Sequence, residues 1–148
     1  MDEYKKIQNF ALKLLTGRMF TIKDLQEKLH KKFPNSGDEV KKNILELEEK
    51  KLLNDEEYIR AYLNYELTTN FRGKFGYFKK LYENGIPKEL FEKVWNEINP
   101  NELDIADTLL KNNEFRFINE KDKQKRKMKI QRFLMGRGFD FGIIKEFL

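Results

Sequence analysis

YFKKLYENGIPKELFEKVW, residues 77–95, and IQRFLMGRGFDFGIIKEFL, residues 130–148, superimpose at an offset of 53 and decide the fold. Leu81 meets Leu134, Gly85 meets Gly138, Ile86 meets Phe139, Leu90 meets Ile143, Phe91 meets Ile144, Val94 meets Phe147 and Trp95 meets Leu148. The apolar pairs recur at helical spacing, and each glycine stands where a helix closes in the left-handed conformation with an apolar residue covering the turn. The motif is helix, glycine turn, helix. A weaker copy lies upstream: Leu25 and Leu29 match Tyr77 and Leu81 at 52, and Phe33 matches Ile86 at 53. That copy has no turn glycine, and Pro34-Asn35-Ser36-Gly37 supplies a longer turn. Three tandem three-helix units follow, over residues 1–53, 54–100 and 101–148, giving an all-α, elongated and curved body.

Start and stop signals fill in the remaining helices. Ile7, Phe10, Ala11, Leu14 and Leu15 form one face of a first helix, with Gly17 as its terminator. Thr21 caps a second, with Asp24 three residues on, and Ser36 with Glu39 repeats the signal before Val40, Ile44 and Leu47. Asn54 opens a fourth helix whose first turn, Asp55, Glu56 and Glu57, suits the positive end of the helix dipole; Tyr58, Tyr62 and Tyr65 lie on it. Pro87 fits a first helical position, and Asn99-Pro100-Asn101 reads as a stop and restart. Ile105, Ala106, Leu109 and Leu110 mark a further helix, and Phe115 to Glu120 a connector.

Composition bounds what such a chain does. Of 148 residues, 39% are hydrophobic and 37% charged, so each helix has one apolar face. The 13 Phe and 6 Tyr are expected mostly in the core. A net charge of +5 favours an anionic partner such as nucleic acid. The absence of Cys excludes disulfides and thiolate zinc sites. No run reaches membrane-spanning length and no signal-peptide core follows Met1, so a cytoplasmic, membrane-free protein is expected.

Catalytic machinery is not visible. The single histidine, His30, sits on a Lys-rich helix end and reads as a solvated residue or a helix C-terminal cation, and Arg72-Gly73-Lys74-Phe75-Gly76 has no strand before it to make a phosphate loop. Neither a cofactor nor a metal is expected. The run from Lys121 to Arg137 is more informative. At about 100° per residue, Ile130, Phe133 and Leu134 share one helix face, while Lys121, Lys125 and Arg132 lie opposite with Lys129 beside them. Under the offset, Arg72 meets Lys125, Lys74 meets Lys127 and Lys79 meets Arg132, whereas the first unit has Glu27 where the second has Lys79. Arg72, Lys74, Lys79, Lys125, Lys129 and Arg132 are therefore candidate contacts to phosphates or to an acidic protein groove, with binding biased to the last two units. Leu81, Gly85, Ile86, Leu134, Gly138 and Phe139 are the structural turn set.

The chain as a whole, from about Phe10, resembles the RecX family of regulators of the RecA recombinase. The resemblance rests on Arg18 to Leu29, on Leu52-Leu53-Asn54-Asp55-Glu56-Glu57-Tyr58-Ile59-Arg60, and on the two helix-glycine turns at Leu81 to Ile86 and Arg132 to Phe139. Lys51 stands where a glycine is usual, Asn54 replaces an aspartate and Ile59 an alanine. The resemblance implies tandem three-helix units, a RecA partner, and inhibition or remodelling of the RecA nucleoprotein filament in recombination and repair, without enzymatic activity. Non-specific phosphate contacts to DNA and a monomer are expected beside it. A second reading, a helix-turn-helix transcription regulator, draws on Thr21 to Leu53, but Asn54 to Glu57 starts a helix where a winged domain turns into a hairpin.

Overall fold

The computed structural model describes residues 2–148, and every regular element among them is helical. Helices α1 (Glu3–Gly17), α2 (Ile22–Lys32) and α3 (Gly37–Glu49) enclose a first core of Ile7, Ala11, Leu25, Leu29, Val40 and Leu47. Helices α4 (Asp55–Thr69), α5 (Lys74–Glu83) and α6 (Lys88–Ile98) enclose a second around Leu63, Tyr77, Leu81, Phe91 and Trp95. A third, around Ala106, Leu109, Leu134, Phe139 and Ile144, lies among α7 (Glu102–Asn112), α8 (Lys123–Gly136) and the single turn α9 (Phe141–Ile144). The accessible surface is 9751 Å², against about 8,000 Å² expected of a compact monomer of this mass. Three small cores in a row expose more surface than one large one.

Caps explain most helix starts. Thr21 accepts from the Asp24 N–H, Asn54 from Glu56 and Glu57, Asn101 from Asp104, and Asp122 from Gln124 and Lys125. Asn99 holds φ at 51° and ends α6, separating it from α7. Ser36 occupies the cap position of α3 but makes no cap bond; its hydroxyl donates to Glu3 Oε1 at 3.3 Å, tying α3 to α1 instead. Gly17 is not a left-handed terminator either: α1 runs out at Arg18 in extended backbone. Pro87 precedes α6 rather than beginning it. On α4 the core face is Ile59 and Leu63, with Tyr58 and Tyr62 half buried and Tyr65 exposed. Phe75, Phe115 and Phe141 are exposed too, so the aromatic surplus is shared between core and surface.

Arg60 fastens α4 to α6. Its guanidinium pairs with Glu56 at 2.9 Å and Glu57 at 2.8 Å on its own helix, and with Glu97 at 2.6 Å on α6. Lys93 closes the ring on Glu56 at 2.9 Å, and Lys93 and Arg60 together hold the Glu56 carboxyl below its ordinary range. The ring is solvent-facing and orients the helices more than it stabilises them.

The turn glycines do more than close helices. Gly85 and Gly138 hold φ at 86° and 92°, and each turn reaches back to the second helix of the preceding unit. The carbonyl of Asn84, just before Gly85, accepts from the Thr21 hydroxyl at 2.7 Å. That of Arg137, just before Gly138, accepts from the Gly73 N–H at 2.9 Å. Thr21 and Gly73 are equivalent residues, the caps of α2 and α5. A Cβ on Gly85 would stand 2.5 Å from the Lys23 Cβ, and one on Gly138 would stand 2.1 Å from the Gly76 nitrogen. One contact, used twice, joins the units. Leu67 and Phe71 strengthen the second joint by packing into the third core.

Candidate partner-binding surface

The structure treats the six candidate cations unequally. Arg72 lies in the loop before α5, half buried, its N–H donating at 3.0 Å to the Tyr77 hydroxyl, which itself donates to the Asn70 carbonyl at 2.7 Å. Tyr77 is fully buried, and burial raises its phenol pKa, so it staples this loop as a neutral group. Lys74 is engaged inside the fold. Its ammonium pairs with Glu92 on α6 at 2.7 Å, and its N–H donates to Glu102 on α7 at 3.1 Å.

Lys79 stands exposed on α5, and no ion pair involves it among the described residues. In α8 and the two residues before it, Lys121 to Lys129 are all exposed, because the helix buries only Leu134 completely and leans on Ile130 and Phe133. Lys129 lies 3.4 Å from Glu120, and the Arg126 guanidinium donates to the Glu120 carbonyl at 2.6 and 3.0 Å, folding the connector onto the start of the helix. Among the described residues, Lys125 and Arg132 make no ion pair. Lys79, Lys125 and Arg132 thus keep their charge available to an outside anion. The guanidinium groups of Arg116, in the connector, and Arg137, at the end of α8, are held over the Phe133 ring at 5.2 and 4.9 Å, adding cations beside the same helix.

A further cationic surface, in the first unit, escapes a comparison of repeat-equivalent positions. Glu27, which replaces the second unit's Lys79, makes a long pair with Lys23 at 3.9 Å. On α1, on α2 and in the loop between them, Lys13, Arg18, Lys28, Lys31 and Lys32 are all exposed. The signal available in the sequence was the spacing of Lys28, Lys31 and Lys32, which puts three cations on one side of α2.

Among the described residues no group of three or more His, Asp or Glu side chains is placed to hold a metal ion, and no helix is long and apolar enough to cross a membrane. His30 is half buried on α2.

Residues 115–148 match the family profile of the third three-helix domain of RecX. Regulatory protein RecX of Clostridium perfringens strain 13 is 33% identical over 143 residues, spanning 95% of this chain and 66% of the relative. That of Clostridioides difficile strain 630 is 30% identical over 153 residues, spanning 99% and 68%. The chain thus extends over about two thirds of the length of these curated relatives. In three dimensions it is similar to the crystal structure of RecX from Lactobacillus salivarius, with a TM-score of 0.86 over 97% of this chain and 92% of that one at 23% identity. A second RecX crystal structure gives 0.87 over 98% and 72% at 21% identity. With the repeat, the junctions and these relatives in agreement, the chain belongs to the RecX family of regulatory proteins.

Proposed function

We propose that this chain binds the filament formed by the RecA recombinase on DNA and opposes its growth, lowering strand exchange and ATP hydrolysis without chemistry of its own. The observation that carries the reading is the recurrence of unpaired, exposed cations on equivalent helices, Lys79 on α5 and Lys125 and Arg132 on α8, along an extended body. Spaced positive charge on a row of rigid units suits a helical polyanion, where each exposed contact adds little and many add up. Arg72, Lys74 and Lys129 complete the contact set, Lys74 by exchanging Glu92 for an outside anion. The protein acts as a monomer in the cytoplasm, and its DNA contacts are to phosphates rather than bases.

The test is RecA-dependent ATP hydrolysis on single-stranded DNA with this protein added. The triple reversal Lys79→Glu, Lys125→Glu, Arg132→Glu is expected to raise the concentration for half-inhibition roughly tenfold or more at low salt, with a smaller gap at moderate salt. Equal inhibition by both proteins at both salts would remove the electrostatic reading.

A further inference from the structure

The first unit carries a groove between α1 and α2 that the filament reading does not use. Its floor is Phe10, Leu14 and Gly17 of α1 with Phe20 from the following loop. Its rim is Lys13, Arg18, Lys28, Lys31 and Lys32. Two lobes, of about 480 and 440 Å³, share Phe10, Leu14 and Lys28. Helical spacing builds both parts: Phe10, Lys13, Leu14 and Gly17 fall on one side of α1, and Lys28, Lys31 and Lys32 on one side of α2.

Among the described residues no carboxylate lines either lobe. Asp24, one turn before Lys28, is half buried and close enough to Tyr58 and Asp55 of the second unit to influence their titration. Among the described residues none of the five rim cations has an ion-pair partner. Three of them rest on rings instead: Arg18 at 3.6 Å and Lys28 at 5.6 Å over Phe20, and Lys32 at 5.6 Å over Phe10. The result is an apolar trough in a uniformly positive frame, which selects an anionic ligand with an apolar part.

Two such ligands differ in what they need from the rings. Stacked bases need a free aromatic face. Phe20 is 3% exposed with a guanidinium on it, and Phe10 packs edge-on against Phe33 at 5.8 Å under Lys32. No stacking platform is left. A leucine- or phenylalanine-sized side chain needs only the trough, with flanking carboxylates on the lysines. We propose that this groove docks an acidic segment of a partner protein, anchored by an apolar side chain on Phe10, Leu14 and Gly17.

The test needs no recombinase, so it stands apart from the filament reading. Fluorescence anisotropy of the full chain is measured with three labelled probes: a short peptide alternating Asp and Glu with Leu and Phe, the same peptide with Ser replacing the anchors, and a short oligothymidylate. The anchored peptide is expected to bind, more weakly as salt rises. Reversal of the exposed Lys28, Lys31 and Lys32 to Glu is expected to weaken it roughly tenfold or more. Gly17 has nothing within 4 Å of where a Cβ would stand, so Gly17→Phe fills the trough at unchanged charge and is expected to weaken it as well. Unchanged thermal unfolding shows that both variants fold. The proposal is overturned if the anchored peptide does not bind, if either variant binds it as well as the parent does, if the anchorless peptide binds equally, or if oligothymidylate binds more tightly and competes for the same site.

Discussion

The two joints between units solve one problem with different materials. At the first, side chains meet the turn: the Thr21 hydroxyl reaches the Asn84 carbonyl, and the Lys23 Cβ faces Gly85. The Asp55 carboxylate crosses the same joint, accepting from the Ile22 N–H at 2.9 Å. At the second, main chain meets main chain. Gly73 and Gly76 face Arg137 and Gly138, and the Phe75 N–H donates to the Gly138 carbonyl at 3.2 Å. A joint made of side chains can be loosened by changing either partner, whereas one made of backbone has no partner to trim.

The sharpest way to break this contrast is Gly138→Ala. It sets a Cβ 2.1 Å from the Gly76 nitrogen at a φ of 92°, and is expected to destabilise by about 3 kcal/mol or more, lowering Tm by roughly 6 °C or more. A loss below about 1 kcal/mol in thermal unfolding would show that the joint gives way easily. Gly73→Ala isolates close approach from strain, because its φ is −77° and a Cβ there lies 2.4 Å from the Gly138 oxygen; about 2 kcal/mol is expected.

Gly85→Ala comes next, at about 1–2 kcal/mol for the left-handed φ with a further contribution from Lys23. In a double-mutant cycle, Lys23→Gly is expected to recover about 1 kcal/mol of that loss. A coupling near zero would mean that the Lys23 stem does not obstruct the turn.

The smallest effect belongs to Asp55. Burial raises its pKa, and the Ile22 N–H opposes that only in part. A raised carboxyl pKa means that stability falls as pH rises from the unfolded value through the folded one and is flat above it. Asp55→Asn keeps an acceptor for Ile22 without the charge, so at pH 7 it is expected to match or exceed the parent by up to about 1 kcal/mol, with the gap closing in acid. Tm at pH 7 and in mild acid reads this, and a variant that loses more at pH 7 than in acid would contradict it.

Local features of the fold were legible and distant ones were not. The helix-glycine-helix register announced Gly85 and Gly138 as turn residues, because a left-handed φ is a local demand that leaves its mark in one residue type. Thr21 and Asn54 were readable as caps for the same reason. Ser36 misled because its backbone, at a ψ of 44°, departs from the extended cap conformation that Thr21 and Asn54 hold, so its oxygen does not meet the first-turn N–H groups. That the turns also dock on the preceding unit could not be read, since Asn84 and Thr21 are 63 residues apart. The basic positions suffered similarly. Lys74 carries the charge expected of it, but Glu92 on the next helix claims it. The groove in the first unit escaped notice because its residues come from two helices and are not repeated.

Each joint points backwards along the chain: the second helix of a unit receives, and a turn made later delivers. During synthesis, α2 is therefore complete before the turn at Gly85 exists, and α5 before the turn at Gly138. Assembly can keep pace with the ribosome, each new unit closing on a surface already folded rather than waiting for sequence still to come.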